Sequence, residues 1–136
     1  MEEYIVRPIG VVRSVLKDPA AAPKQGALTG QAAEVVVDPA YLPALEGLDL
    51  RREKILVICW MHRADRGRLK VHPRGQEHLP ERGVFSTRSP HRPNPLSLHT
   101  VTLLSIAGNV LRVLGMDAID GTPVIDIKPH SQELDG

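Results

Sequence analysis

The chain has 136 residues, of which 42% are apolar, with four aromatics, one cysteine and a formal net charge of +1. That length fits one domain, 1–136, and is short for two. One cysteine excludes a disulfide within the chain, and with no charged-then-apolar leader and no 18-residue apolar run the expectation is a cytoplasmic protein without a membrane span.

Charge is polarised along the chain. Residues 1–50 carry four basic and seven acidic groups, residues 51–92 eleven basic and four acidic, and residues 117–136 one basic and five acidic. The middle is therefore +7, enough to steer a polyanion or to form an ordinary solvated face that pairs with acids elsewhere.

Proline and glycine total 23 residues spread throughout, which leaves few windows for a long helix. In chain order, Tyr4–Val15 alternates loosely and is β-branched, and Ala20–Gly30 reads as a small-residue loop. Glu34–Val37 is a brief apolar strand. At Pro39–Leu48 one or two helical turns fit, with Asp38 as cap and Pro39 at the first helical position. Lys54–Trp60 is an almost continuous apolar run typical of a strand buried on both faces. Arg63–Arg82 reads as a long polar excursion. Leu98–Ile106 and Val110–Leu114 flank Ala107-Gly108-Asn109, a hairpin loop that supplies positive φ. Val124–Ile127 is the last strand. The fold class is mainly β, a single-domain antiparallel β-barrel with long loops and at most short helices.

Several common chemistries have no signature here. There is no Gly-x-Gly-x-x-Gly after a strand, no phosphate loop, no EF-hand, and no recurrent metal spacing among the histidines; no metal is expected. Cys59 lies inside the apolar strand, where a thiol is inert packing more often than a nucleophile. Three places carry more information. Arg88-Ser89-Pro90-His91-Arg92-Pro93-Asn94-Pro95 has three prolines in six positions, so it forms neither helix nor central strand. It reads as a stiff cationic loop suited to an anionic or polar ligand, or as a braced connection whose arginines are solvated or paired. In Asp117 through Pro129, Asp120-Gly121 with Thr122-Pro123 signals a tight turn, and Asp117 follows Gly115-Met116 at a strand end. Asp126 and Lys128 alternate onto one strand face, where a salt bridge is the simpler reading. His62-Arg63 follows Trp60 at the end of the buried strand.

Taken together, Gly83 through Pro95 and Asp117 through Pro129, with Pro23-Lys24-Gln25, Trp60-Met61-His62-Arg63 and Ile9-Gly10, resemble the tRNA methyltransferase O family. These are β-barrel enzymes that use S-adenosylmethionine (S-adenosyl-L-methionine). The resemblance implies methyl transfer to the exocyclic amine of N6-threonylcarbamoyladenosine beside the anticodon of tRNA, by a homodimer. It places the cofactor on Pro23, Lys24, Gln25, His62, Arg63, Arg88, Leu98, Leu114, Gly115, Met116 and Asp117. Substrate-binding candidates are Arg92, Asn94, Asp120 and Lys128, with Arg66, Arg68, Lys70 and Arg74 as further phosphate contacts; no catalytic residue is assigned. Ser97 stands where relatives commonly have glycine, and His130 where tyrosine is usual. Longer bacterial relatives continue into a second domain, so recognition of tRNA is expected to fall to the core, to a partner, or not to occur at all. Two alternatives remain open at this level: a non-catalytic RNA-binding barrel, and a methyltransferase of the same cofactor acting on a small molecule.

Overall fold

The computed structural model describes residues 1–15, 32–48 and 54–135. The chain forms two compact units, Met1–Cys59 with Leu98–Gly136, and Trp60–Ser97. The loop expected at Ala20–Gly30, with Pro23, Lys24 and Gln25, lies outside the described residues.

The first unit is a closed antiparallel barrel. Its strands are β1 (Gly10–Arg13), β2 (Ala32–Val37), β3 (Lys54–Trp60), β6 (Leu96–Ala107), β7 (Val110–Leu114) and β8 (Pro123–Pro129), in the spatial order β1-β2-β7-β6-β3-β8. Closure pairs every strand on both sides, which removes the exposed edges that invite aggregation. The register places Val35 of β2 between Val12 of β1 and Leu111 of β7. Because side chains alternate, β2 sends Ala33, Val35 and Val37 inward, while Ala32, Glu34 and Val36 stay half-exposed. The interior is completed by Val12, Ile55, Val57, Cys59, Val101, Leu103, Leu111, Val113 and Val124. This is the aliphatic core that four aromatics require, and each full-sized member contributes roughly 1.5–3 kcal/mol of transfer free energy.

Local chemistry fixes the connections. Asp38 accepts from the Ala40 amide at 2.9 Å and starts a 3₁₀ turn, Pro39–Leu45, as the sequence leads one to expect. Gly108, at φ +61°, turns the β6–β7 hairpin. In the same loop Asn109 clamps β2, donating from its side chain to the Val37 carbonyl at 2.7 Å and accepting from the Val37 amide at 2.8 Å. Bulges at Ile58/Cys59 and Leu103/Ser105 shift the register of β3 and β6.

Three elements differ from the sequence reading. Tyr4–Ile9 is not strand: the β1 ladder with β2 begins at Gly10, and Tyr4 and Ile5 are exposed. The excursion Arg63–Arg82 holds a small ribbon, β4 (Lys70–Val71) paired with β5 (Arg82–Gly83), within the second unit. The chain also ends in a short helix, α1 (Gln132–Asp135). Among the described residues no helix is long and apolar enough to cross a membrane.

Candidate functional site

In the barrel unit the site is built at the end of β7. Gly115 adopts φ +90°, a left-handed conformation that breaks the strand after Leu114 without strain because glycine has no Cβ. Beyond it Met116, Ala118 and Ile119 are buried, and Asp117 is the partly exposed residue among them. The buried neighbours fix the backbone, so the position of Asp117 is set by core packing. Met116, expected among the cofactor residues, packs its own side chain into the core and leaves only its backbone for a ligand.

Asp117 Oδ1 lies 2.8 Å from His99 Nδ1. That hydrogen bond holds the Asp117 carboxyl below the usual carboxylate range, against the opposing effect of burial; the charge interaction with His99 and its own backbone amide add to the lowering. The carboxylate is therefore ionised, and in turn it raises the thiol of Cys59. Burial foremost, then this negative charge, pushes Cys59 up to about 12. Cys59 has no exposed surface and belongs to the core, which settles the sequence alternatives in favour of packing. Leu98 on β6 is exposed, and Leu114 is half-exposed.

The turn after this segment is held by its own hydrogen bonds. Asp120 Oδ1 accepts from the Ser14 amide at 2.9 Å, Gly121 has φ +86°, and buried Thr122 donates from its hydroxyl to the Ile119 carbonyl at 2.8 Å. Asp120, a substrate-binding candidate, thus ties the turn to the end of β1. Lys128 lies 3.5 Å from Asp126, the in-strand pair that alternation predicts.

In the second unit the proline-rich segment is held by its own polar groups. Arg92 donates through one guanidinium nitrogen to the carbonyls of Ser89, at 2.7 Å, and Thr87, at 3.2 Å. Arg66 donates from Nε to the Pro93 carbonyl at 2.7 Å and approaches Asn94 Oδ1 at 3.5 Å, while its guanidinium lies over Trp60. The Asp65 amide donates to His91 Nδ1 at 2.9 Å. Prolines donate no N–H and turn backbone leaves carbonyls without ladder partners, so the arginines supply the missing donors. Arg66 and Arg92, expected at phosphate or substrate, are engaged in this way. Arg88 is different: it is exposed, and among the described residues no hydrogen bond or ion pair holds its guanidinium. His62, Arg63 and Asn94 are exposed as well. Ser97 donates to the Met61 sulfur at 3.1 Å.

A separate cavity of about 420 Å³ lies in the barrel unit beside the 3₁₀ turn, lined by Ile9, Tyr41, Leu45, Leu48, Asp126 and Ile127 among others. It includes none of the residues expected at a cofactor. His99 is the residue that sequence reasoning passed over. The signal was its place on β6, two residues before Val101 and four before Leu103, both buried; alternation puts a polar ring on the inward face.

Fold and site define a class: a closed antiparallel β-barrel that presents a carboxylate held ionised at a strand end, with a proline-braced arginine loop in a second unit. The sequence places it within that class. Residues 11–136 match the tRNA-methyltransferase O N-terminal domain, and the chain belongs to that family. It is 49% identical over 133 residues to a protein of Methanothermobacter thermautotrophicus named probable S-adenosyl-L-methionine-binding protein, covering 98% of this chain and 94% of that one. It is 44% identical over 131 residues to an S-adenosyl-L-methionine-binding protein of Archaeoglobus fulgidus, covering 96% and 92%. The crystal structure of TrmO from Pseudomonas aeruginosa superposes with a TM-score of 0.79 at 31% identity, and a second TrmO crystal structure with 0.81 at 33%. The chain spans 58% and 60% of those two crystallised chains.

Proposed function

We propose that this protein is an S-adenosylmethionine-dependent methyltransferase that methylates N6-threonylcarbamoyladenosine next to the anticodon of tRNA, acting as a homodimer in the cytoplasm. The observation that carries the reading is the Asp117 carboxylate, held ionised at the end of β7 within the stretch that matches the family. The names of the relatives at 49% and 44% identity support the cofactor.

The donor set fits that cofactor. An ionised carboxylate suits a ligand that carries cationic centres and ribose hydroxyls, and an uncommitted guanidinium suits its carboxylate. When bound, the cofactor supplies an electrophilic methyl group. On the family resemblance, Asp117 would accept hydrogen bonds from it, Arg88 would bind its carboxylate and exposed Leu98 would offer apolar contact; Pro23, Lys24, Gln25, His62, Arg63, Leu114 and the backbone of Gly115 and Met116 would complete the proposed set. Methyl transfer asks chiefly for alignment of donor and acceptor, so a rigid loop is the useful contribution of Pro90, Pro93 and Pro95. The target base belongs to a single-stranded loop and is accessible once splayed from its stack.

Incubation with methyl-labelled cofactor and tRNA, with and without the threonylcarbamoyl group, tests the reading. Label is expected only in tRNA that carries the group. Label in neither tRNA overturns the assignment of substrate, and label in both overturns the assignment of the modified base.

A further inference from the structure

We propose that His99 is a positioning residue: its Nδ1–H donates to Asp117 Oδ1 and fixes the orientation in which the carboxylate meets the cofactor. The inference rests on the reading of Asp117 as a cofactor contact and adds to it a residue outside the expected set.

Three observations carry it. The two atoms are 2.8 Å apart, and the His99 side chain is only 10% exposed against 31% for Asp117, so the carboxylate lies between a mostly buried ring and the surface. Each partner is immobilised from its own side of the pair. His99 follows the inward alternation of β6 with Val101 and Leu103, both in the core, while Asp117 is held between buried Met116 and Ala118. Finally, an ionised carboxylate accepts hydrogen bonds and donates none, so the nitrogen facing it must carry the proton. The geometry thus assigns a proton to Nδ1 of His99. Among the described residues Cys59 also feels the Asp117 charge, and its thiol is neutral and buried.

A carboxylate locked in one rotamer before the ligand arrives loses little side-chain freedom on binding, so removing the lock lowers affinity. Asparagine at position 99 reproduces a donor near the place of Nδ1, whereas phenylalanine keeps the ring volume without any donor. Loss of packing alone would therefore not separate the two variants in the direction a positioning role demands.

The test has two arms. Nitrogen-15 NMR of the protein without ligand, with the His99 signals identified by their loss in His99→Asn, is expected to show a protonated Nδ1; an unprotonated Nδ1 overturns the pairing. Calorimetry with S-adenosylmethionine is then run on wild type, His99→Phe, His99→Asn and Asp117→Ala, each checked for a cooperative melt. His99→Phe is expected to bind about tenfold or more weakly, the scale of a hydrogen bond to a charged group, and His99→Asn within about threefold of wild type. Wild-type affinity in His99→Phe, or equal weakness in both variants, overturns the proposal. If wild type binds and Asp117→Ala binds equally well, the role of Asp117 fails while the cofactor assignment survives. If wild type does not bind, that assignment fails as well, and the NMR arm still decides the pairing. Should His99→Phe not fold, His99→Leu takes its place with the same expectation.

Discussion

The Arg66 guanidinium lies 5.0 Å from the centre of the Trp60 ring while its Nε donates to the Pro93 carbonyl, so one side chain ties the end of β3 to the proline-rich segment inside the second unit. This geometry uses both faces of arginine chemistry, the planar cation on an aromatic ring and the directed N–H. Arg66→Ala is expected to cost about 0.5–1 kcal/mol from the ring contact, with the lost hydrogen bond in addition. Arg66→Lys should fail to restore it, because an ammonium has no planar fork. Trp60 is the only tryptophan, so its emission during denaturant titration reports the change directly. Unaltered emission and an unaltered midpoint in Arg66→Ala would mean that the contact holds nothing.

Gly10 is a packing requirement of the barrel. A Cβ there would meet the Val36 carbonyl oxygen at 2.4 Å, a backbone atom of the neighbouring strand that cannot swing aside. Gly10→Ala should therefore destabilise by about 1–3 kcal/mol, the usual scale of overpacking. Thermal melts would register several degrees. A wild-type melting temperature would show that β1 and β2 separate more easily than the register implies.

Acid stability should carry a signature of Asp117. Its folded-state carboxyl titrates below the ordinary value, chiefly through the His99 hydrogen bond, so between the two values the unfolded chain binds more protons than the folded one. The stabilisation is fully present above the ordinary carboxylate range of about 4 and is lost as pH falls through the depressed value. Chemical denaturation at stepped pH should show the loss in wild type below about pH 4, with a shallower slope in Asp117→Asn. Identical slopes would remove the pair from the acid response.

At the alkaline end the sign reverses for Cys59. Its thiol is raised to about 12, so its contribution is complete below the ordinary thiol range and declines as pH rises toward the folded value. Cys59→Ala should flatten that alkaline decline relative to wild type. At pH 8 a thiol-specific reagent should modify native protein only as fast as it unfolds; rapid native labelling would contradict the burial.

Much of the architecture is legible in the residues, and the misses have physical causes. Lys54–Trp60 and Val110–Leu114 carry their fold in their composition, since β-branched and aliphatic residues bounded by turn signals have few alternatives. Asp38-Pro39 specifies its turn locally. Tyr4, Ile5 and Val6 are good strand formers, but Pro8 has no N–H to give a ladder, and the pairing with β2 begins only at Gly10. The ribbon of Lys70–Val71 and Arg82–Gly83 is two residues wide, too short for any period to show. At the site, the motif containing Asp117 stands out in the sequence, but His99 is 18 residues away and becomes a partner only when β6 and the end of β7 come together. The resemblance offers Arg66 and Arg92 as phosphate contacts; that they also donate to carbonyls left bare by a proline-rich backbone is invisible to a residue count.

The most direct test of the central claim is isothermal calorimetry of the protein with S-adenosylmethionine, on wild type and on Arg88→Ala. Saturable binding is expected for wild type, with Arg88→Ala weaker by about 1.5–3 kcal/mol, the value of a hydrogen bond between charged groups. No saturable heat from folded wild-type protein would contradict the claim, and equal affinity in the two proteins would take Arg88 out of the site.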